Sequence, residues 1–162
     1  MSNFWTQPGS KDVYIYFSII IILMIIYGVA LYSIYGKDNI IDNEILNTEI
    51  TKMEVFGNFG GWSISHIIVF YLAGFLFPEQ WVLIFVLGVL WEFVEVVLGE
   101  LFVKIMGKSE NSGNRKVVYG DKWMDGNLND IWYNTIGLFL GYLTIMTYKE
   151  YKSKKYRLPL NE

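Results

Sequence analysis

Between Ile15 and Tyr35 the chain carries no charged side chain and is mostly Ile, Leu, Phe and Tyr. Such a stretch has few places to go, because crossing the roughly 30 Å hydrocarbon core of a bilayer takes about 20 helical residues. Three more blocks of similar character follow. One runs from Asn58 to Phe77 and is stopped by Pro78, one from Trp81 to Met106, and one from Ile131 to Tyr148, ahead of the basic tail Lys149–Arg157. They predict an all-α, multi-pass integral membrane protein forming a single domain over residues 1–162. Its four transmembrane helices cover 15–35, 58–77, 81–106 and 131–148, and both termini fall on one side. With only Pro78, Glu79 and Gln80 between them, the second and third blocks are expected to form an antiparallel hairpin.

Composition agrees. Of the 162 residues 53% are hydrophobic and 18% charged, against about 25% charged in an ordinary soluble domain. The aromatic and aliphatic content excludes disorder. Having no cysteine, the chain cannot build a disulfide scaffold, a thiolate zinc site or a cysteine nucleophile. A net charge of −3 argues against bulk electrostatic binding to nucleic acid. The first block reads as a permanent anchor rather than a cleaved signal, being long and preceded only by Lys11 beside Asp12. Lys and Arg are almost evenly divided between the two sides, and the basic tail favours cytoplasmic termini. The connector at 36–57 is acidic, with a short helix expected through Ile45–Val55. The segment 107–120 reads as a flexible polar loop, and 149–162 as a basic tail.

The informative residues are the charges inside the apolar blocks. Glu92 and Glu95 fall near the middle of the third, three apart and so on one helical face. Each costs on the order of 2.5–3.5 kcal/mol to place there. His66, the only histidine, is near the middle of the second block, at a depth similar to Glu92 if the hairpin forms. Asp121, Asp125 and Asp130, with Asn127, Asn129 and Asn134, lead into the fourth block. Singly, each has an ordinary explanation: a neutral hydrogen-bonded glutamate, a packing histidine near Ser63 and Ser65, an N-cap at Asp130. Gly137 and Gly141 read as a helix-packing face, and Trp5, Trp81 and Trp132 as interface anchors. Together, so many carboxylates repel one another unless a cation is present. Their carboxylate and amide oxygens suit a hard divalent cation.

Trp91-Glu92-Phe93-Val94-Glu95, then Asp121-Lys122-Trp123-Met124-Asp125, then Asp130, resembles the core of the base-exchange phosphatidylserine synthases. In that family a W-E-x-x-E helix precedes an E-C-W-W-D motif, an Asp five residues later and a glycine-rich helix. Gly57-Asn58-Phe59-Gly60-Gly61-Trp62 resembles the family's G-H-F-W-G-W, with Asn58 where the family has histidine. The likeness covers the central helices, Gly57–Gly141. A looser likeness is to small bacterial four-helix membrane proteins with a His…Glu…Asp…Asn pattern.

The resemblance implies a phosphatidyltransferase of phospholipid biosynthesis, in which serine displaces a headgroup alcohol at the lipid phosphodiester. It implies Ca2+, with Mg2+ or Mn2+ as alternatives, held by Glu95, Asp121, Asp125, Asp130 and Asn134. Catalytic roles fall on Glu92, on the Asn58 position and on His66, two turns further along the same expected helix. Trp62 and Trp123 would contact the substrate. Its expected partners are a phospholipid, serine and a second copy of the chain, in the endoplasmic reticulum membrane if the protein is of eukaryotic type. The alternatives are a metal-dependent lipid hydrolase, or a non-catalytic protein keeping the fold and cation site for lipid binding or assembly.

Overall fold

The computed structural model describes residues 4–6, 8–35, 49–53, 57–106 and 130–156. These are almost entirely helical. Four long helices, α1 (Ser10–Tyr35), α2 (Gly61–Leu76), α3 (Trp81–Met106) and α4 (Asp130–Tyr156), follow a 3₁₀ turn at Phe4–Thr6. Two short strands, β1 (Glu49–Met53) and β2 (Gly57–Gly60), pair antiparallel with Lys52 opposite Asn58.

The strands correct the expectation of a short helix through Ile45–Val55, since residues 49–53 are extended. They also move the start of the second helix from Asn58 to Gly61. Gly57, Gly60 and Gly61 cluster there, and each glycine costs about 1 kcal/mol in a helix interior. Gly60 is extended as the N-cap, and its N–H donates to Ser63 Oγ at 3.5 Å. The polar segment 107–120, the tail beyond Tyr156 and most of the acidic connector lie outside the described residues.

Among the described residues, one helix stretch is by itself long and apolar enough to cross a membrane, Ser10–Ala30 of α1. α2 with the first part of α3, through Glu95, qualifies only as a bent pair, turning through 109° at the break. The four expected crossings are thus not all found: among the described residues one stretch and one bent pair pass on length and apolarity. At 16 residues, α2 is about 24 Å long, short of a full crossing. α3 carries its glutamates, and α4 is diluted by Asn134, Thr135, Thr144 and Thr147.

A turn of 109° also replaces the antiparallel hairpin. Phe77 (φ −128°, ψ 56°) leaves the helical region, as the residue before a proline is biased to do. Pro78–Gln80 then makes a single 3₁₀ turn that runs straight into α3. α2 and α3 thus splay apart, and α4 packs against both of them, most closely along α2.

That contact is backbone to backbone. A Cβ at Gly141 would lie 2.0 Å from Tyr71 O, and one at Gly137 would lie 2.4 Å from Ile67 O. The pair is the packing face expected from its spacing. Its partners advance in the same direction along both chains, so α2 and α4 run parallel. On the other side α1 runs antiparallel to α2. Tyr16 Oη donates to Val69 O at 2.7 Å, and the Phe17 ring packs on Phe70.

The N-terminal end of α1 is pinned to the α2–α3 break. Gln80 Nε2 donates to Pro8 O at 2.7 Å and Ser10 Oγ to Gln80 Oε1 at 3.3 Å. Val13, Phe70, Ala73, Leu83, Ile84 and Leu138 form the buried apolar core nearby. Beyond that anchor, α1 presents Ile15, Ile19, Ile22, Ile25, Ile26 and Val29 outward. Only 11% of its apolar stretch is buried.

Candidate functional site

α2, α3 and α4 meet around a buried polar cluster. His66 comes from α2, Glu92 and Glu95 from α3, and Asn134 from α4. Glu92 is 2% exposed, Asn134 4% and Glu95 7%. The sequence builds this locally in two steps. The three-residue spacing turns both glutamates to one side of α3. The glycine contact then fixes the height of α4, so that Asn134, one turn before Gly137, arrives between His66 and Glu92.

Asn134 bridges the other two helices. Its Nδ2 donates to Glu92 Oε1 at 2.9 Å, and its Oδ1 lies 2.8 Å from His66 Nδ1. An amide oxygen only accepts, so the ring carries its proton on Nδ1 at this contact. His66 Nδ1 and Glu92 Oε1 are 3.9 Å apart. Glu95 Oε1 accepts a hydrogen bond from Trp91 Nε1, one turn earlier on the same helix. The remaining oxygen of Glu92, Oε2, is buried with no hydrogen-bond partner among the described residues.

One ligand atom each from His66, Glu92 and Glu95 lie within 4.8 Å of one another, a grouping able to hold a metal ion. Asp130, half-buried in the first turn of α4, is near enough for its charge to act on both glutamates. Beside the cluster is a partly open pocket of about 270 Å³. Phe17, Ile20 and Met24 of α1 form its apolar wall, and Trp62, His66 and Glu95 line it from α2 and α3.

The chain matches no family model, no curated protein and no solved structure.

Of the residues singled out in the sequence, His66, Glu92, Glu95, Asp130 and Asn134 come together, and Trp62 lines the adjoining pocket. Asp121, Asp125 and Trp123 lie outside the described residues. Asn58 sits on β2, paired with Lys52, and not on the helix that bears His66, so the two-turn relation between them does not exist. Asn134 has both ends of its amide engaged, which makes it a bridge between helices. Trp91, to which the sequence assigns no role, lies four residues before Glu95, the spacing at which helical side chains meet.

Calcium, the cation implied by the resemblance, takes six to eight oxygens. The described donors are an imidazole nitrogen and two carboxylates, with the Asn134 oxygen already committed to His66. On these residues the fit to calcium is poor. The donors that are present form a mixed nitrogen and oxygen set able to hold a metal ion.

Proposed function

We propose that this chain is a multi-pass membrane enzyme that acts on the headgroup of a phospholipid with the help of a divalent cation. The observation that carries the reading is the joining of a buried His66–Asn134–Glu92/Glu95 cluster to an apolar pocket. One molecule that fits both is an amphiphile, with its polar group at His66 and Glu95 and its apolar part along α1. The outward Ile and Val side chains of α1 support the membrane setting, since an all-round apolar helix with little burial needs an apolar solvent. Four crossings, with α2 and α3 as a splayed pair, complete the proposed topology.

Exchange of a headgroup alcohol for serine is the reaction to which the W-E-x-x-E and following motifs point. The serine hydroxyl oxygen forms a new bond to phosphorus while the bond from phosphorus to the departing alcohol oxygen breaks. The serine proton passes to Glu92 and from there to the departing alcohol, so no net charge is created. Such general acid–base help typically contributes 10²–10⁴-fold. A bound dication supplies neutralisation of charge on the phosphate oxygens. The test uses purified protein in mixed-lipid nanodiscs with radiolabelled serine, with and without chelator. Chelator-sensitive label in phospholipid is the expected result, and absence of label with cation present sinks the exchange.

One observation favours a second reading. The Asn134 amide itself joins His66 to Glu92, and a side-chain network of this kind serves to fix helix register whether or not it does chemistry. On that second reading Glu92→Gln changes stability and no chemistry.

A further inference from the structure

We infer that His66, Glu92 and Glu95 bind a first-row transition-metal dication of the Mn2+ or Zn2+ kind, in preference to calcium, with Asn134 as the positioning residue. The inference rests on the reading of this cluster as the enzyme's cation site, but it is tested by binding alone. Two helices, α2 and α3, deliver three ligand atoms within 4.8 Å of one another. Glu92 is buried with Oε2 unpartnered among the described residues, a state that a nearby cation relieves. Two carboxylates and a neutral imidazole carry the charge of one dication with opposite sign, so a filled site buries no net charge.

The donor chemistry selects the metal. Mixed imidazole and carboxylate sets suit Zn2+ and its neighbours, whereas Ca2+ and Mg2+ take oxygen. Metal-bound histidines almost always donate their other ring N–H to a carboxylate or carbonyl. His66 already has that partner, Asn134 Oδ1 at 2.8 Å from Nδ1, and Nε2 is the nitrogen left for a metal. Glu95 lines the same pocket as His66, which gives an ion a way in.

His66 is the only histidine in the chain, so a nitrogen signature is unambiguous in protein freed of any purification tag. Detergent-solubilised wild type is titrated with Mn2+ by electron paramagnetic resonance, and the bound ion is examined for electron spin echo modulation from ¹⁴N. The expected result is stoichiometric Mn2+ with imidazole modulation, displaced by Zn2+ and not by a hundredfold excess of Ca2+. Asn134→Ala should weaken binding roughly 10–100-fold, as for other groups that orient a metal ligand. No nitrogen modulation, or displacement by equimolar Ca2+, overturns the inference, and neither readout needs a variant to fold. A nitrogen-coordinated ion without serine incorporation leaves this site standing and removes the exchange reaction. Serine incorporation sustained by Ca2+ without that signature does the reverse.

Discussion

Asn134 holds one amide between a histidine and a carboxylate on two different helices, so its removal takes a hydrogen-bond partner from the buried Glu92 and from the half-buried His66. Each such loss costs about 1–3 kcal/mol. Asn134→Ala should therefore lower the melting temperature in detergent clearly. In a double-mutant cycle with His66→Ala the two effects should fall short of additive by about 0.5–3 kcal/mol. Additive losses would show that the bridge seen at 2.8 Å contributes nothing. Glu92→Gln is the informative partner, because the Gln carbonyl still accepts from Asn134 Nδ2 while the group can no longer carry a proton. It should fold with a melting temperature near that of the wild type and lose serine transfer. At this scale the residues that do not belong in an apolar block, His66, Glu92 and Glu95, are legible in the sequence. What Asn134 does is not, because that depends on the height of α4 against α2, which no spacing within one helix encodes.

Helix against helix, the molecule depends on the absence of side chains at Gly137 and Gly141. The atom a Cβ would strike at Gly141 is a backbone carbonyl, Tyr71 O at 2.0 Å, which cannot swing aside. Gly141→Ala should force α2 and α4 apart at a cost of about 1–3 kcal/mol, the usual penalty of overpacking. Gly141→Leu should cost more. Because the same contact sets Asn134 between His66 and Glu92, both variants should also weaken cation binding, although residue 141 touches none of the ligands. A denaturation series in mixed micelles with a metal titration on each variant checks this, and unchanged values for Gly141→Leu would refute the close approach. The glycine pair was legible from its four-residue spacing, and so was the stop at Pro78. The 109° turn was not, since a proline marks where a helix ends and says little about the direction in which the next one leaves. Residues 49–53 form a strand in place of the expected helix for a related reason. A five-residue stretch with no periodicity of its own takes its conformation from the partner strand at Gly57–Gly60.

Taken as a whole, the chain sorts its ends. Pro8 and Ser10 are bonded to Gln80, which places the start of α1 beside the α2–α3 break. α2 runs toward that break and α4 runs parallel to α2, so the C-terminal end of α4 faces the same way. Lys154 and Lys155 complement the helix dipole in its last turn. There Lys154 bonds Glu150 at 2.7 Å and holds that carboxyl below its usual range, first by the hydrogen bond and then by its charge. The β1–β2 pair, leading into the start of α2, belongs to the opposite end. The start of α1, the end of α4 and the Pro78 turn thus share one end of the molecule. Because the chain has no cysteine, single cysteines report on this without background. Thr6→Cys, Glu79→Cys and Lys152→Cys should all react with a membrane-impermeant maleimide from one face of sealed vesicles. Asn111→Cys, in the polar segment between α3 and α4, should react only from the other. Labelling of Glu79→Cys and Lys152→Cys from opposite faces would mean that α3 and α4 do not make a full pair of crossings. The bent α2–α3 pair would then be re-entrant, with the His66–Glu92 cluster close to one surface, and the amphiphile would have to enter from that surface instead of along α1.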